Sequence, residues 1–171
     1  MKLRSATPLD LQELTELCFR SKASWGYDEA FMLSCEDELS FKPQDLERSL
    51  IVLAVEEGKF LGVAQITGLL SFADGFKSNR DDHSGVKQIE LIKLFIEPEA
   101  FHKGVGRALF RWVVSSSQLL NAEELFIVSD PFAHQFYEKM GAHHAGHILS
   151  ETMAERWLPI FTYPLKKPLI K

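Results

Sequence analysis

The chain has 171 residues, 46% hydrophobic and 25% charged, with a formal net charge of −5; this suits a globular protein with one domain over residues 1–171 and one sizeable core. The acidic balance argues against nucleic acid as the main partner, since phosphate backbones call for a basic patch, while a small cationic acceptor or a basic peptide end stays compatible. No apolar run approaches a membrane span and MKLRSATPLD lacks the apolar core of a signal peptide, so a cytoplasmic protein with no membrane partner is expected.

Residues 2 to 6 read as a short strand. Thr7-Pro8-Leu9-Asp10 has the form of a helix start, with Thr7 as N-cap, Pro8 at the first helical position and an acid three residues after the cap. Leu9, Leu11, Leu14, Leu17 and Cys18 then recur at helical spacing up to about Phe19. SKASWGY breaks the pattern; a second helix is expected from about Asp28 to Leu39, and Pro43 to Arg48 reads as one more turn. The two cysteines, Cys18 and Cys35, both in expected helices, make no disulfide framework and are expected as thiols. LIVLAVE reads as a strand, and Glu57-Gly58-Lys59 turns it into FLGVAQITGLL. The polar stretch SFADGFKSNRDDHSGVK lacks periodicity and is expected to be a loop, either mobile or a functional lid.

Residues 88 to 107, QIELIKLFIEPEAFHKGVGR, carry the strongest signal. Ile89 to Ile96 is long enough for a strand and too short for a typical helix, and Pro98 stops it. Two glycines follow in HKGVGR, then the amphipathic helix ALFRWVVSSSQLL. A strand, a glycine turn and a helix N-terminus make a place for an anion, because the first N–H groups of a helix are unpaired and glycine admits close approach. A Walker A string is absent, and a dinucleotide fingerprint fails where Leu109 occupies its last glycine position.

ELFIVS, residues 124 to 129, is expected as a buried strand parallel to the central one, reached by a right-handed crossover. A helix from about Pro131 to Met140 should end at Gly141, and HHAGHILS and WLPIFTYPL read as two last strands. The order is β-α-α-β-β-β-α-β-α-β-β, an α/β fold with a mixed central sheet of about seven strands flanked by helices. Strand alternation separates His143 and His147 from His144, and no Cys or acid completes a set, so no metal is expected. Ser115, Ser116 and Ser117 lie mid-helix without a nucleophile elbow.

Phe101-His102-Lys103-Gly104-Val105-Gly106 resembles the acetyl-CoA-binding motif of the GCN5-related N-acetyltransferase (GNAT) family, Gln/Arg-x-x-Gly-x-Gly/Ala. Both glycines match, as does the preceding Ile96-x-Pro98; Phe101 stands where the family usually has Gln or Arg. Asp130, Ala133, Phe136, Tyr137, Glu138, Lys139 and Gly141 resemble the family's N-x-x-A-x-x-F-Y-E-K-x-G pattern, with Asp130 for the usual Asn. The resemblance implies a fold of the same strand order, in which the fourth and fifth strands splay apart around a pantetheine arm. It also implies an enzyme that transfers an acetyl group from acetyl-CoA to a primary amine of a small molecule or peptide, by direct attack in a ternary complex. A transferase using another acyl-CoA, or a CoA-binding regulatory module without turnover, fits the same motifs. The family often forms dimers, and the strand IFTYPL offers an edge for a homodimer.

The alkylammonium of an acceptor must lose a proton before attack, the departing thiolate must gain one, and the thioester oxygen needs a donor as charge develops. The resemblance places Tyr137 near the thioester sulfur as the acid; a buried tyrosine anchoring helix to sheet is the alternative. Glu90 is the candidate base, in phase with Ile92, Leu94 and Ile96 if the strand is regular, and otherwise a solvated strand-end carboxylate. Glu97 and Glu99 read as solvated loop acids. By resemblance, the backbone of Leu94, Phe95 and Ile96 binds pantetheine, amides from His102, Lys103, Gly104, Val105, Gly106 and Arg107 cradle the pyrophosphate, and Asp130 and Phe136 join the cosubstrate site. Asp130 also reads as an N-cap. Trp25, Tyr27 and Glu29 of SKASWGYDEAF are expected on the acceptor side, where aromatics and acids suit a cationic amine; packing of Trp25 on the sheet and helix capping by the acids is the alternative.

Overall fold

A computed structural model describes residues 1–67 and 87–165. The expected lid, all but Lys87, and the end of the hairpin strand beyond Thr67 lie outside the described residues. Seven strands, β1 (Lys2–Ser5), β2 (Ser49–Glu56), β3 (Lys59–Thr67), β4 (Gln88–Ile96), β5 (Glu124–Val128), β6 (His143–Leu149) and β7 (Trp157–Pro164), form one sheet. Its order is β1-β2-β3-β4-β5-β7-β6, with only β4 and β5 parallel. The helices are α1 (Leu11–Ala23), α2 (Glu29–Ser34), α3 (Glu36–Leu39), α4 (Pro43–Arg48), α5 (Val105–Leu119) and α6 (His134–Lys139). No helix among the described residues is long and apolar enough to cross a membrane.

The element order expected from the sequence is present, and its local causes are visible. Thr7 and Pro8 open a 3-10 turn that runs into α1. The Asp10 carboxylate accepts from the Thr7 N–H and the Thr7 hydroxyl, each at 2.7 Å, and from the Arg4 guanidinium. The expected second helix is split at Cys35, whose φ of −91° and ψ of 3° leave helical geometry. Glu57 and Gly58 both take positive φ, the conformation of a two-residue hairpin turn, so Lys59 already belongs to β3.

The sheet separates two cores. On one face α5 and α6 cover β2 to β5 through Val105, Leu109, Phe110, Val113 and Tyr137. On the other, Leu11, Leu14, Leu17 and Cys18 of α1 pack with Phe31, Cys35 and Leu39. Each fully buried Leu or Phe side chain contributes about 1.5–3 kcal/mol, so these two stripes fix which helix lies on which face. Both cysteines are buried free thiols, and burial pushes Cys18 up to about 12.

Two bulges alter what strict alternation predicts. Gln65 faces Lys93 while Ile66 faces Leu91, so Ile92 is an extra residue on β4. Ile89 and Leu91, before the bulge, and Leu94 and Ile96, after it, all pack into the α5 core, while Phe95 packs into the α1 core. Glu90 is therefore not in phase with Leu94 and Ile96; it shares a face with Lys93 and Phe95. In β6, His144 faces Phe161 and Gly146 faces Ile160, leaving Ala145 as the extra residue. That bulge returns His144 and His147 to one side, with ring centroids 4.8 Å apart, and His134 lies 5.3 Å from His144. The alternation argument fails there, although no group of three His, Cys, Asp or Glu among the described residues is arranged to hold a metal ion. The strand IFTYPL, too, differs from expectation. It lies mostly in β7, both of whose edges are taken by β5 and β6, and the sheet's outer strands are β1 and β6.

Candidate functional site

The parallel pairing of β4 with β5 runs only from Gln88 opposite Glu124 to Leu91 opposite Ile127. Beyond it β5 stays with β7, while β4 stays with β3 and diverges after its bulge. The edge of β4 from Ile92 to Ile96 thus faces a cleft with no strand paired to it among the described residues, which leaves backbone donors and acceptors for a ligand. The cleft holds about 1290 Å³, above the roughly 300–1,000 Å³ of a single small-ligand pocket.

Leu94, Phe95, Ile96, His102, Gly104, Gly106, Arg107, Asp130, Phe136, Tyr137, Glu90 and Trp25 all line this one cleft. Lys103, Val105, Tyr27 and Glu29 are not among its lining residues. Val105 is buried in the α5 core, and Lys103 is exposed.

At one end the chain leaves β4, makes a 3-10 turn over Pro98–Ala100 and enters α5 through Gly104. Gly104 has φ +83° and open space where a Cβ would stand, so its backbone conformation, together with room for a ligand, accounts for glycine. Gly106 is glycine for another reason: a Cβ there would sit 3.1 Å from the Phe136 ring. Val105, Gly106 and Arg107 form the first turn of α5, whose N–H groups have no intrahelical acceptor. The cradle is held from behind. Glu97, expected as a solvated acid, takes a bidentate ion pair from Arg20 of α1, with a shortest distance of 2.9 Å.

Tyr137 packs its ring against Phe110, Phe136 and Phe161 on the cleft wall. Its hydroxyl has no hydrogen-bond partner among the described residues and is not among the sealed, unpartnered polar atoms. Burial first, and the Asp130 carboxylate second, hold the phenol above its ordinary value. The phenol is thus protonated at neutral pH, and among the described residues its oxygen anchors nothing. Glu90 lies half-buried on the cleft wall opposite Thr67 of β3.

Asp130 is the hub of a network that sequence reading missed. It caps the turn at Pro131 by accepting from the Phe132 N–H at 3.0 Å. It also accepts from the Tyr27 hydroxyl at 2.9 Å and from Arg156 at 3.0 Å, and Lys22 lies 3.7 Å away. Arg156 donates in turn to the Tyr27 oxygen at 2.6 Å. Buried Lys22 and half-buried Arg156 explain why a carboxylate stands here: Lys22 also reaches Glu38 at 3.3 Å, but an amide at 130 would take the countercharge from Arg156. Tyr27 is consumed by this network and by stacking on Phe31, with centroids 4.0 Å apart, and burial holds its phenol above the ordinary value. Glu29 sits in the first turn of α2, capped by Asp28. Lys22 and Arg156 carry no motif; only the fold brings them to Asp130.

The family model described as the acetyltransferase (GNAT) family matches residues 10–142. No curated protein matches the chain. Among solved structures, a GCN5-related N-acetyltransferase from Rhodopseudomonas palustris is 19% identical with a TM-score of 0.70, over 96% of this chain and 95% of its own. The ribosomal-protein-S18-alanine N-acetyltransferase from Escherichia coli is 19% identical with a TM-score of 0.64, over 96% and 93%. The PaiA N-acetyltransferase from Thermoplasma acidophilum, in complex with coenzyme A, is 17% identical with a TM-score of 0.63, over 95% and 98%.

Proposed function

Because this chain belongs to the GNAT acetyltransferase family, we propose that it transfers an acetyl group from acetyl-CoA to a primary amine of a small molecule or peptide, within a ternary complex. The observation that carries this reading is the cleft at the divergence of β4 and β5, with a glycine-entered helix at one end and Tyr137 and Glu90 on its walls. The N–H groups of α5's first turn, with Arg107, suit the pyrophosphate of the cosubstrate. The unpaired edge of β4 suits the amides of pantetheine, and an N–H beside the bulge suits the developing oxyanion. Glu90 takes the ammonium proton, directly or through water, and the amine attacks the thioester carbon; the C–S bond then breaks, Tyr137 protonates the leaving CoA thiolate, and the second proton of the nitrogen restores the phenol as the amide forms. One structural neighbour is named for acetylating an alanine of a ribosomal protein, an acceptor of the peptide kind that this reading includes. The whole chain from 1 to 171 is taken as this one catalytic unit.

Thermal stability measured with acetyl-CoA, CoA, ATP and NAD, one at a time, tests the reading. A ligand at a hundred times its dissociation constant stabilises by about 2.7 kcal/mol. A shift with acetyl-CoA and CoA alone is expected. No shift with saturating CoA removes the proposal, whereas a CoA shift without turnover on any amine favours a CoA-liganded regulatory module.

A further inference from the structure

Three aromatic rings meet at the mouth of the cleft. Trp25, from the segment joining α1 and α2, stacks on Phe132 with centroids 5.3 Å apart and planes 3° apart, and on Phe101 at 6.0 Å and 26°. Phe101 leads into the α5 cradle from the β4 side, and Phe132 follows Asp130 at the end of β5. A contact running from Phe101 through Trp25 to Phe132 therefore bridges the two walls that the divergence of β4 and β5 has opened. All three rings line the cleft, yet Trp25 is 41% and Phe132 53% exposed, which puts the bridge at the rim and not in the core. The segment carrying Trp25 is tied down at its base by Tyr27, whose hydroxyl holds Asp130 and Arg156. Phe101 is also the position at which the chain departs from the usual Gln or Arg.

We propose that Trp25, Phe101 and Phe132 form an aromatic clasp over the cosubstrate, so that Trp25 governs how long the cosubstrate stays bound. This rests on the reading of the cleft as a CoA site. At position 101 a Gln would offer Trp25 no ring and an Arg would offer it a hydrated cation; Phe101 replaces a side-chain hydrogen bond with an apolar ring seat for the clasp. The cosubstrate arm lies beneath the bridge, between the cradle and Tyr137, and leaves when the Trp25 ring lifts from its two neighbours. Trp25 is by this account a retaining residue for the cosubstrate, not a contact for the acceptor amine.

The test uses the full chain carrying W112F and W157F, so that Trp25 is the one remaining tryptophan. CoA binding is followed by calorimetry, Trp25 emission is recorded during a CoA titration without any acceptor, and CoA release is timed by stopped-flow displacement. The expected result is a changed Trp25 emission on CoA binding. Release should be about tenfold faster in W25A, followed by displacement of a fluorescent CoA analogue, and mostly restored in W25F. F132A removes the opposite ring while leaving every residue of the α1–α2 segment unsubstituted, so it should accelerate release comparably even if W25A folds poorly. At saturating substrates kcat should move little beside the change in acetyl-CoA KM. Calorimetric CoA binding with unchanged release in both W25A and F132A overturns the clasp alone. Absence of CoA binding to the unsubstituted chain overturns the CoA reading and the clasp with it.

Discussion

Tyr137→Phe separates a catalytic tyrosine from a structural one, because the structure gives the two roles opposite consequences. The substitution keeps the ring that packs on Phe110, Phe136 and Phe161 and removes only the oxygen. That oxygen makes no hydrogen bond among the described residues, so no partner is orphaned and stability should change by no more than about 0.5 kcal/mol. Loss of a general acid, by contrast, costs about 10²–10⁴-fold in rate, or about 2.7–5.4 kcal/mol of barrier at about 1.36 kcal/mol per factor of ten. The assay is release of CoA thiol at saturating acetyl-CoA, with the best acceptor from a panel of diamines, amino acids, aminoglycosides and short peptides. Urea unfolding midpoints are measured in parallel. Burial holds the phenol above its ordinary value of about 10, so the unsubstituted protein should show no loss of the acid in the rate profile below about pH 10. A kcat within twofold of the parent, or a fall in the unfolding midpoint with the rate intact, would refute the assignment and return Tyr137 to the core.

Gly62→Ala tests the β4 wall of the proposed cosubstrate cleft. The added Cβ would lie 2.8 Å from Cδ1 of Ile96 and 2.9 Å from the backbone oxygen of Phe95, overpacking that costs about 1–3 kcal/mol. Since Phe95 and Ile96 line the cleft, CoA affinity by calorimetry should weaken together with the urea midpoint. Asp10→Asn tests the start of α1, where two Arg4 nitrogens and Thr7 hold the carboxylate. Its charge-assisted bonds predict a loss of about 2 kcal/mol at neutral pH. The Arg4 hydrogen bond above all keeps this carboxyl well below the usual carboxylate range. Below about pH 4 the unfolded chain therefore takes up more protons than the folded one, and this stabilisation fades as pH falls. Denaturation midpoints of Asp10→Asn should be flatter across that acid window; a parallel pair of curves would sink the argument.

Much of this protein was readable one segment at a time. The Thr7-Pro8 start, the helical recurrence of Leu11, Leu14, Leu17 and Cys18, the Glu57-Gly58 turn and the strand-glycine-helix run from Ile89 to Leu119 all depend on near neighbours in the chain. So do the two spaced motifs that carried the family resemblance. What failed in the reading failed for a common reason. Ile92 and Ala145 are bulged because strands on the other side of the pairing set the register, and a one-residue insertion turns every later side chain to the opposite face. That is why Glu90 lost its phase with Leu94, and why His144 joined His147. Glu97 looked like a loop acid until α1 delivered Arg20 to it, and nothing near Tyr27 in the chain announced that its hydroxyl would bond Asp130 and Arg156. The sequence by itself determined the order of strands and helices and the glycine entry into α5, because hydrogen bonding within a turn and burial of a stripe are local. Only the tertiary structure decided which residues share the cleft. Partners such as Tyr27 and Arg156, 129 positions apart, meet only once the sheet has closed around them.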